Sequence, residues 1–137
     1  MKTYTLDLDE VDTLVNEVVS TFTKGIIILR GDLACGKTTF VKKMVLKLGY
    51  KDEVTSPTFS LQQCYGEKIF HYDIYNHGLE HFIALGMLEE LEKEGLHFVE
   101  WGDKKLENIL KNAGMEVLVI EIKKTVNDIR EYKVTHA

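Results

Sequence analysis

A continuous apolar run followed by a glycine-rich loop constrains this chain more than any other feature. Residues Ile26 to Leu29 are β-branched or apolar throughout, a pattern typical of a strand buried on both faces. The loop that follows, residues 31–39, reads GDLACGKTT. The next apolar residues recur at helical spacing and stop at Gly49; they are Phe40, Val41, Met44, Val45 and Leu48. The sequence therefore predicts a strand, a glycine-rich loop and a helix in direct succession.

The loop has the spacing of a phosphate-binding P-loop, Gly31-x-x-x-x-Gly36-Lys37-Thr38. Its glycines allow successive backbone N–H groups to face a phosphate, and the following helix adds its positive N-terminal end. Lys37 is expected to reach the β- and γ-phosphates, and the hydroxyl of Thr38 to ligate Mg²⁺. The predicted nucleotide-binding residues of the loop are Gly31, Leu33, Ala34, Cys35, Gly36, Lys37, Thr38 and Thr39.

Two acidic residues are candidates for the rest of the metal site. Asp73 ends the segment IFHYD and Glu100 ends the segment LHFVE, and each is the first acid after an apolar-biased strand. Mg²⁺ prefers oxygen ligands, and carboxylates at the carboxyl ends of strands commonly supply them. One acid could order the metal while the other polarises the attacking water. We therefore predict a metal site of Thr38, Asp73 and Glu100, with Lys37 and both acids as the catalytic residues.

Together with the remaining segments, the sequence predicts one α/β domain over residues 1–137. This domain is expected to contain a largely parallel sheet flanked by helices. Val11 to Phe22 have helical spacing, with Asp9 placed to cap that helix. Alternating residues up to Tyr65, a YGEK turn and the strand 69–73 predict an antiparallel hairpin. The later part of the chain predicts a helix over 79–91 that is broken near Gly86, and a short helix around 106–110. It also predicts strands over 96–101 and 115–122 and an edge strand at EYKVTH.

Composition narrows the functional classes. Acidic residues exceed basic ones, 22 to 17, which argues against a broad nucleic-acid surface. Two cysteines cannot form a disulfide framework, and no apolar run is long enough to span a membrane, so an intracellular protein is expected. Four of the five histidines are considered for an acceptor site, and packing accounts for them better; they are His71, His77, His81 and His97.

Four motifs occur in order along the chain: LRGDLACGKTTFVKKM, VTSPTFSL, HYDIY and FVEW. Together they resemble the TsaE (YjeE) family of small bacterial P-loop ATPases. The resemblance covers roughly residues 5 to 122. It implies binding of ATP or ADP with Mg²⁺, and ATP hydrolysis required for the threonylcarbamoyladenosine modification of tRNA. It also implies the partner proteins TsaD and TsaB, contact with tRNA only through that complex, and a cytoplasmic location.

The resemblance also assigns residues. It makes Thr55, Ser56 and Thr58 a switch-like loop, with Thr58 contacting nucleotide, and places Trp101 beside the nucleotide. Asp9 or Glu10 is expected to border the adenine. Four residues depart from the family pattern, namely Ala34, Cys35, Asn76 and Gly102.

Two other functions remain open at the level of sequence. A small-molecule kinase of the P-loop class usually clamps the moving phosphoryl group with several arginines, whereas this chain has only Arg30 and Arg130. The scarcity of arginines predicts slow hydrolysis by the isolated protein. It is therefore also consistent with a nucleotide-dependent binding module that has no physiological turnover. The absence of an Asn-Lys-x-Asp motif argues against a GTPase.

Overall fold

The computed structural model describes residues 1–32, 35–51, 53–55, 61–75 and 78–137. Within these ranges the strands are β1 (Lys2–Leu6), β2 (Gly25–Arg30), β3 (Gln62–Tyr65), β4 (Ile69–Asp73), β5 (Leu96–Glu100), β6 (Val117–Lys124) and β7 (Arg130–His136). The helices are α1 (Val11–Thr21), α2 (Lys37–Lys47), α3 (Gly78–Ala84), α4 (Met87–Leu91) and α5 (Lys104–Asn112). None of the helices in these ranges is long and apolar enough to cross a membrane.

The described strands form one sheet in the order β1-β7-β6-β2-β5-β4-β3. The four central strands, β6, β2, β5 and β4, pair in parallel, which confirms the predicted parallel α/β core. The outer pairs on both sides are antiparallel. The predicted hairpin, β3 with β4, is therefore one of two antiparallel borders, and the other is formed by β6, β7 and β1.

Strand β2 is buried on both faces, as its sequence predicts, and it divides the core in two. Ile27 and Leu29 belong to the apolar cluster that packs under α1 and α2. Ile26 and Ile28 belong to the cluster that includes side chains of α3, α4 and α5. Because successive strand residues face opposite sides, one apolar run supplies both layers. The P-loop segment therefore begins at the end of a central strand that is packed on both faces.

One expectation about the strands is wrong, one strand was not predicted, and one expectation about a helix is confirmed. The segment EYKVTH lies in β7, which is hydrogen-bonded to β6 on one side and to β1 on the other, so the predicted edge strand is wrong and β1 lies at the edge. Strand β1 was not predicted. The broken helix is confirmed, since Gly86 has a φ of 77° between α3 and α4.

The predicted cap of α1 is also wrong. The Asp7 carboxylate accepts a hydrogen bond from the Glu10 backbone N–H at 2.8 Å, and the Glu10 carboxylate accepts one from the Asp7 N–H at 3.0 Å. This reciprocal pair three residues apart has the pattern of a capping box and closes the turn that leads into α1, whose N-cap residue Glu10 makes no side-chain cap hydrogen bond of its own. Asp9 lies between the two, and its side chain does not provide the cap.

Candidate functional site

The P-loop leaves β2 through a position that only glycine fills well. Gly31 has a φ of 151°, and a Cβ there would lie 2.4 Å from the carbonyl oxygen of Ile122 and 2.5 Å from Cys35 Sγ. Gly36 has a φ of 112° and directly precedes α2. Both loop glycines therefore adopt backbone conformations that side chains rarely permit. The first helical turn of α2 begins at Lys37, as predicted.

Lys37 is folded back into the loop that precedes it. Its side-chain nitrogen donates hydrogen bonds to the carbonyl oxygens of Gly31 at 2.7 Å and Asp32 at 3.0 Å. The residue is only 5% exposed. The Nζ atom also lies 4.1 Å from the centroid of the Trp101 ring, a cation–π arrangement. A buried ammonium group is thus held at the head of α2, beside the Trp101 that was predicted to flank a nucleotide.

Thr38 and Glu100, 62 residues apart in sequence, meet at this loop. The Thr38 hydroxyl lies 2.9 Å and 3.0 Å from the two carboxylate oxygens of Glu100. Glu100 ends β5, and Asp73 ends the neighbouring parallel strand β4 as its register partner. The Asp73 carboxylate accepts a hydrogen bond from the Tyr75 backbone N–H at 2.9 Å. The sheet therefore places both predicted acids at the carboxyl ends of its parallel strands, on the same side as the P-loop that follows β2.

The donor set fits Mg²⁺. Glu100 is 3% exposed and Asp73 is 4% exposed, and burial of two carboxylates is costly unless cations or hydrogen bonds compensate. The hydroxyl of Thr38 can donate its proton to Glu100 while its lone pairs stay available to a metal. Hydroxyl and carboxylate oxygens are the ligands that Mg²⁺ prefers. In the described part of the chain, no three His, Cys, Asp or Glu side chains form a metal cluster by themselves.

The buried His71, for which the sequence favours a packing role, contacts Glu100. His71 is fully buried, and its Nε2 lies 2.6 Å from Glu100 Oε2. Its Nδ1 lies 2.8 Å from the Tyr65 hydroxyl. One signal could have identified it, because His71 precedes Asp73 by two residues in β4 and alternate residues of a strand face the same side. Tyr65 could not be identified, since its place depends on the pairing of β3 with β4.

The two arginines hold the backbone around the site. Arg130 Nε donates to the Cys35 carbonyl at 2.8 Å, so β7 braces the P-loop. Arg30 Nε donates to the Gly102 carbonyl at 2.7 Å, and its Nη2 forms an ion pair with Glu107 at 2.8 Å. Burial raises the pKa of Glu107, but hydrogen bonds from Lys104 and Arg30 outweigh it and the pKa falls below its ordinary value.

A cleft of about 230 Å³ opens beside the start of α2. Its lining residues belong to the start of α1, to α2, to β7 and to the segments directly before these elements. They are Leu8, Val11, Gly36, Thr39, Phe40, Lys43, Asp128, Arg130 and Tyr132. Asp9 is exposed and lies between the lining residues Leu8 and Val11, and Thr39 is an exposed residue of the wall. The contribution of residues 128–132 was not predicted. It depends on β7 lying next to the P-loop, a contact between chain segments far apart in sequence.

Several predicted residues lie outside the described part of the chain. They are Leu33 and Ala34 of the P-loop, Ser56 and Thr58 of the switch-like segment, and Asn76 after β4. Cys35 is described, is 2% exposed, and has its Sγ 3.7 Å from Lys37 Nζ.

Comparison with known proteins identifies the family. The family model described as Threonylcarbamoyl adenosine biosynthesis protein TsaE matches residues 5–132. This chain belongs to the TsaE family. A protein of Bacillus subtilis named tRNA threonylcarbamoyladenosine biosynthesis protein TsaE is 34% identical over 80% of this chain and 68% of its own length. The crystal structure of Bacillus subtilis YdiB superposes with a TM-score of 0.72 and 28% identity, covering 98% of this chain and 84% of that one.

The match to two other TsaE proteins is confined to part of each. The Treponema pallidum protein of the same name is 40% identical over 58% of this chain and 61% of its own length. The Haemophilus influenzae protein is 32% identical over 57% of this chain and 52% of its own length. The matched stretch thus spans little more than half of these relatives.

Proposed function

We propose that this TsaE-family protein is a Mg²⁺-dependent ATPase that acts in the threonylcarbamoyladenosine modification of tRNA. The observation that carries the proposal is the contact of Thr38 with Glu100 at the start of α2, with Asp73 on the adjacent strand. A hydroxyl, two buried carboxylates and a buried lysine at the end of a P-loop are the groups that phosphoryl transfer requires. Residues 1–137 act as one domain, in the cytoplasm.

Binding of the nucleotide uses the loop, the lysine and the cleft. Backbone N–H groups at the head of α2 and the ammonium group of Lys37 bind the β- and γ-phosphates. The cleft beside Thr39 accepts the nucleoside, since its wall combines apolar Leu8, Val11 and Phe40 with polar Thr39 and Lys43. The ring of Trp101 closes the phosphate end over Lys37.

The two acids divide the chemistry. Bound Mg²⁺ would neutralise charge that develops on the phosphate oxygens. Thr38 and Glu100 would hold the metal, because these two side chains already share a hydrogen bond. Asp73, at the end of the neighbouring strand, would then orient and polarise water.

Turnover by the isolated protein should be slow. Arg30 and Arg130 are bonded to backbone carbonyls of the fold, which leaves them poorly placed to bridge a phosphoryl group in transit. We therefore propose that the TsaB–TsaD pair stimulates hydrolysis by supplying charge or orientation, and that it responds to the nucleotide state of this protein. tRNA is contacted through that complex.

The deciding experiment measures phosphate release from ATP with Mg²⁺, by the protein alone and with purified TsaB and TsaD. A metabolite mixture replaces the partners in a parallel reaction. We expect slow Mg²⁺-dependent release that the partners increase. Transfer of phosphate to a metabolite would instead support the kinase, and nucleotide binding with no turnover under any condition would support the binding module.

A further inference from the structure

A hydrogen-bond path, buried at His71 and exposed at Thr55, runs from the P-loop through Glu100 to the beginning of the predicted switch-like segment. His71 joins Glu100 to Tyr65, with the distances of 2.6 Å and 2.8 Å given above. The Tyr65 hydroxyl also lies 2.9 Å from the side-chain oxygen of Gln63. The Gln63 side-chain amide donates to the Thr55 hydroxyl at 3.1 Å. The metal-side carboxylate is thus linked to Thr55 through three intervening side chains.

The chemistry of the groups fixes the role of His71 toward Glu100. An ionised carboxylate only accepts hydrogen bonds, so toward a Glu100 carboxylate that binds Mg²⁺ the His71 Nε2 group acts as the donor. Thr38 donates to the same carboxylate from the P-loop side. Two donors on separate elements, β4 and α2, therefore restrict rotation of the Glu100 carboxylate. The Tyr65 hydroxyl in turn restricts rotation of the His71 ring.

The same sheet contains a second histidine in an almost identical setting that lacks the carboxylate. His97 on β5 is 1% exposed, and its Nδ1 lies 2.8 Å from the Tyr72 hydroxyl. Its ring stacks on Phe70 with centroids 4.5 Å apart, and its Nε2 donates to the backbone carbonyl of Lys93 at 2.7 Å. Packing and a backbone contact account for His97. The Nε2 partner is what distinguishes His71.

We propose that His71 is a positioning residue that holds Glu100 in the orientation required for Mg²⁺, with Tyr65 fixing the His71 ring. The proposal rests on the proposed function, because Glu100 is the metal-side carboxylate there. Partners that orient a metal-binding carboxylate commonly change metal affinity or activity by about 10- to 100-fold when they are removed. His71 and Tyr65 should therefore affect the metal more than they affect the nucleotide.

The experiment compares His71→Leu and His71→Gln with His97→Leu and His97→Gln in the full chain. Trp101 is the single tryptophan and lies against Lys37, so its fluorescence reports on the site. Three quantities are measured: the Kd of ADP without metal, the Kd of Mg²⁺ for the ADP complex, and ATP turnover at saturating nucleotide. Thermal unfolding of each variant serves as the measure of folding.

We expect His71→Leu to weaken Mg²⁺ binding or turnover by about 10- to 100-fold, with the Kd of metal-free ADP changed by less than about twofold. His71→Gln should recover part of the loss, since its amide N–H can still donate to Glu100. The His97 variants should lower thermal stability and leave the Mg²⁺ affinity unchanged. In a Glu100→Gln background, His71→Leu should add less than roughly a twofold effect, because it acts through Glu100.

Two results would overturn the role of His71 and leave the ATPase proposal intact. One is equal Mg²⁺ affinity in the His71 and His97 variants, and the other is that His71→Gln recovers neither Mg²⁺ affinity nor turnover relative to His71→Leu. If the unmodified protein neither binds Mg²⁺ with ADP nor hydrolyses ATP, both proposals fail. If His71→Leu does not fold, Tyr65→Phe compared with Tyr72→Phe decides. Only the first should weaken Mg²⁺ binding, and equal affinities in this pair would overturn the proposal.

Discussion

At the scale of single residues, the site combines a local sequence motif with contacts that only the fold creates. Lys37 and Thr38 follow the glycines by spacing alone, and their predicted roles come from the sequence motif. Glu100 is predictable as an acid at a strand end, but its hydrogen bond to Thr38 is not. The geometry of the candidate site therefore depends on side chains that the motif does not contain.

Replacement of Lys37 by alanine should weaken ATP binding and abolish hydrolysis. The ammonium group is the cation at the head of α2, and the phosphates would lose their charged partner. Isothermal titration with ATP and a phosphate-release assay measure the two effects. Lys42→Ala, an exposed position of the same helix, is the matched control and should change neither. Unchanged turnover in Lys37→Ala would contradict the mechanism.

Replacement of Glu100 by alanine should impair hydrolysis more than nucleotide binding. Turnover at saturating ATP should fall by about 100-fold, because the metal-side carboxylate is lost. The affinity for ADP without metal should stay the same. Glu116→Ala, an exposed acid before β6, controls for the change in net charge. Weaker binding with an intact rate per bound ATP would remove Glu100 from the catalytic site.

At the scale of elements, sequence patterns predicted what each segment forms better than what it contacts. The strand, loop and helix around the P-loop, the hairpin and the break at Gly86 were all predicted, since each depends on residues close in sequence. Strand β1 was missed because Tyr4 and Leu6 are only partly buried and give weak alternation. The place of β7 inside the sheet, and hence Arg130 beside the P-loop, depends on pairing with β1 and β6.

The capping box before α1 gives a prediction about stability. Asp7→Ala should lower the free energy of unfolding by about 1 kcal/mol, because the Glu10 N–H loses its side-chain partner. Urea unfolding without nucleotide measures the change. Asp9→Ala is the matched control, since Asp9 does not cap the helix, and it should shift the midpoint little. A larger effect at Asp9 than at Asp7 would contradict the assignment of the cap.

At the scale of the whole molecule, the candidate site lies at one end of the sheet and the buried His97 toward the other. The carboxyl ends of β2, β4 and β5 carry the P-loop, Asp73 and Glu100. Toward the other end lies His97, whose polar neighbours are the Tyr72 hydroxyl, the Lys93 carbonyl and the charges of Glu90 and Lys93. Stability and catalysis can therefore be altered separately, by substitutions at opposite ends of the same strands.

His97 should make the stability of the molecule depend on pH. Burial lowers its pKa below the ordinary value of 6.5, and this outweighs the opposing effects of the Lys93 carbonyl and Glu90. As the pH falls below 6.5, the unfolded chain therefore binds more protons than the folded one, and the free energy of unfolding decreases. For one proton the slope is at most about 1.4 kcal/mol per pH unit. This stability is fully present above pH 6.5 and is lost on acidification.

Urea unfolding at pH 7.5 and pH 5.5, compared between the unmodified protein and His97→Gln, measures this contribution. Because glutamine does not titrate in this range, the variant should lose less stability between the two pH values than the unmodified protein does. His136→Gln, an exposed histidine at the end of β7, is the matched control and should retain the full pH dependence. If His97→Gln loses as much stability on acidification as the unmodified protein, the buried His97 is not the group responsible.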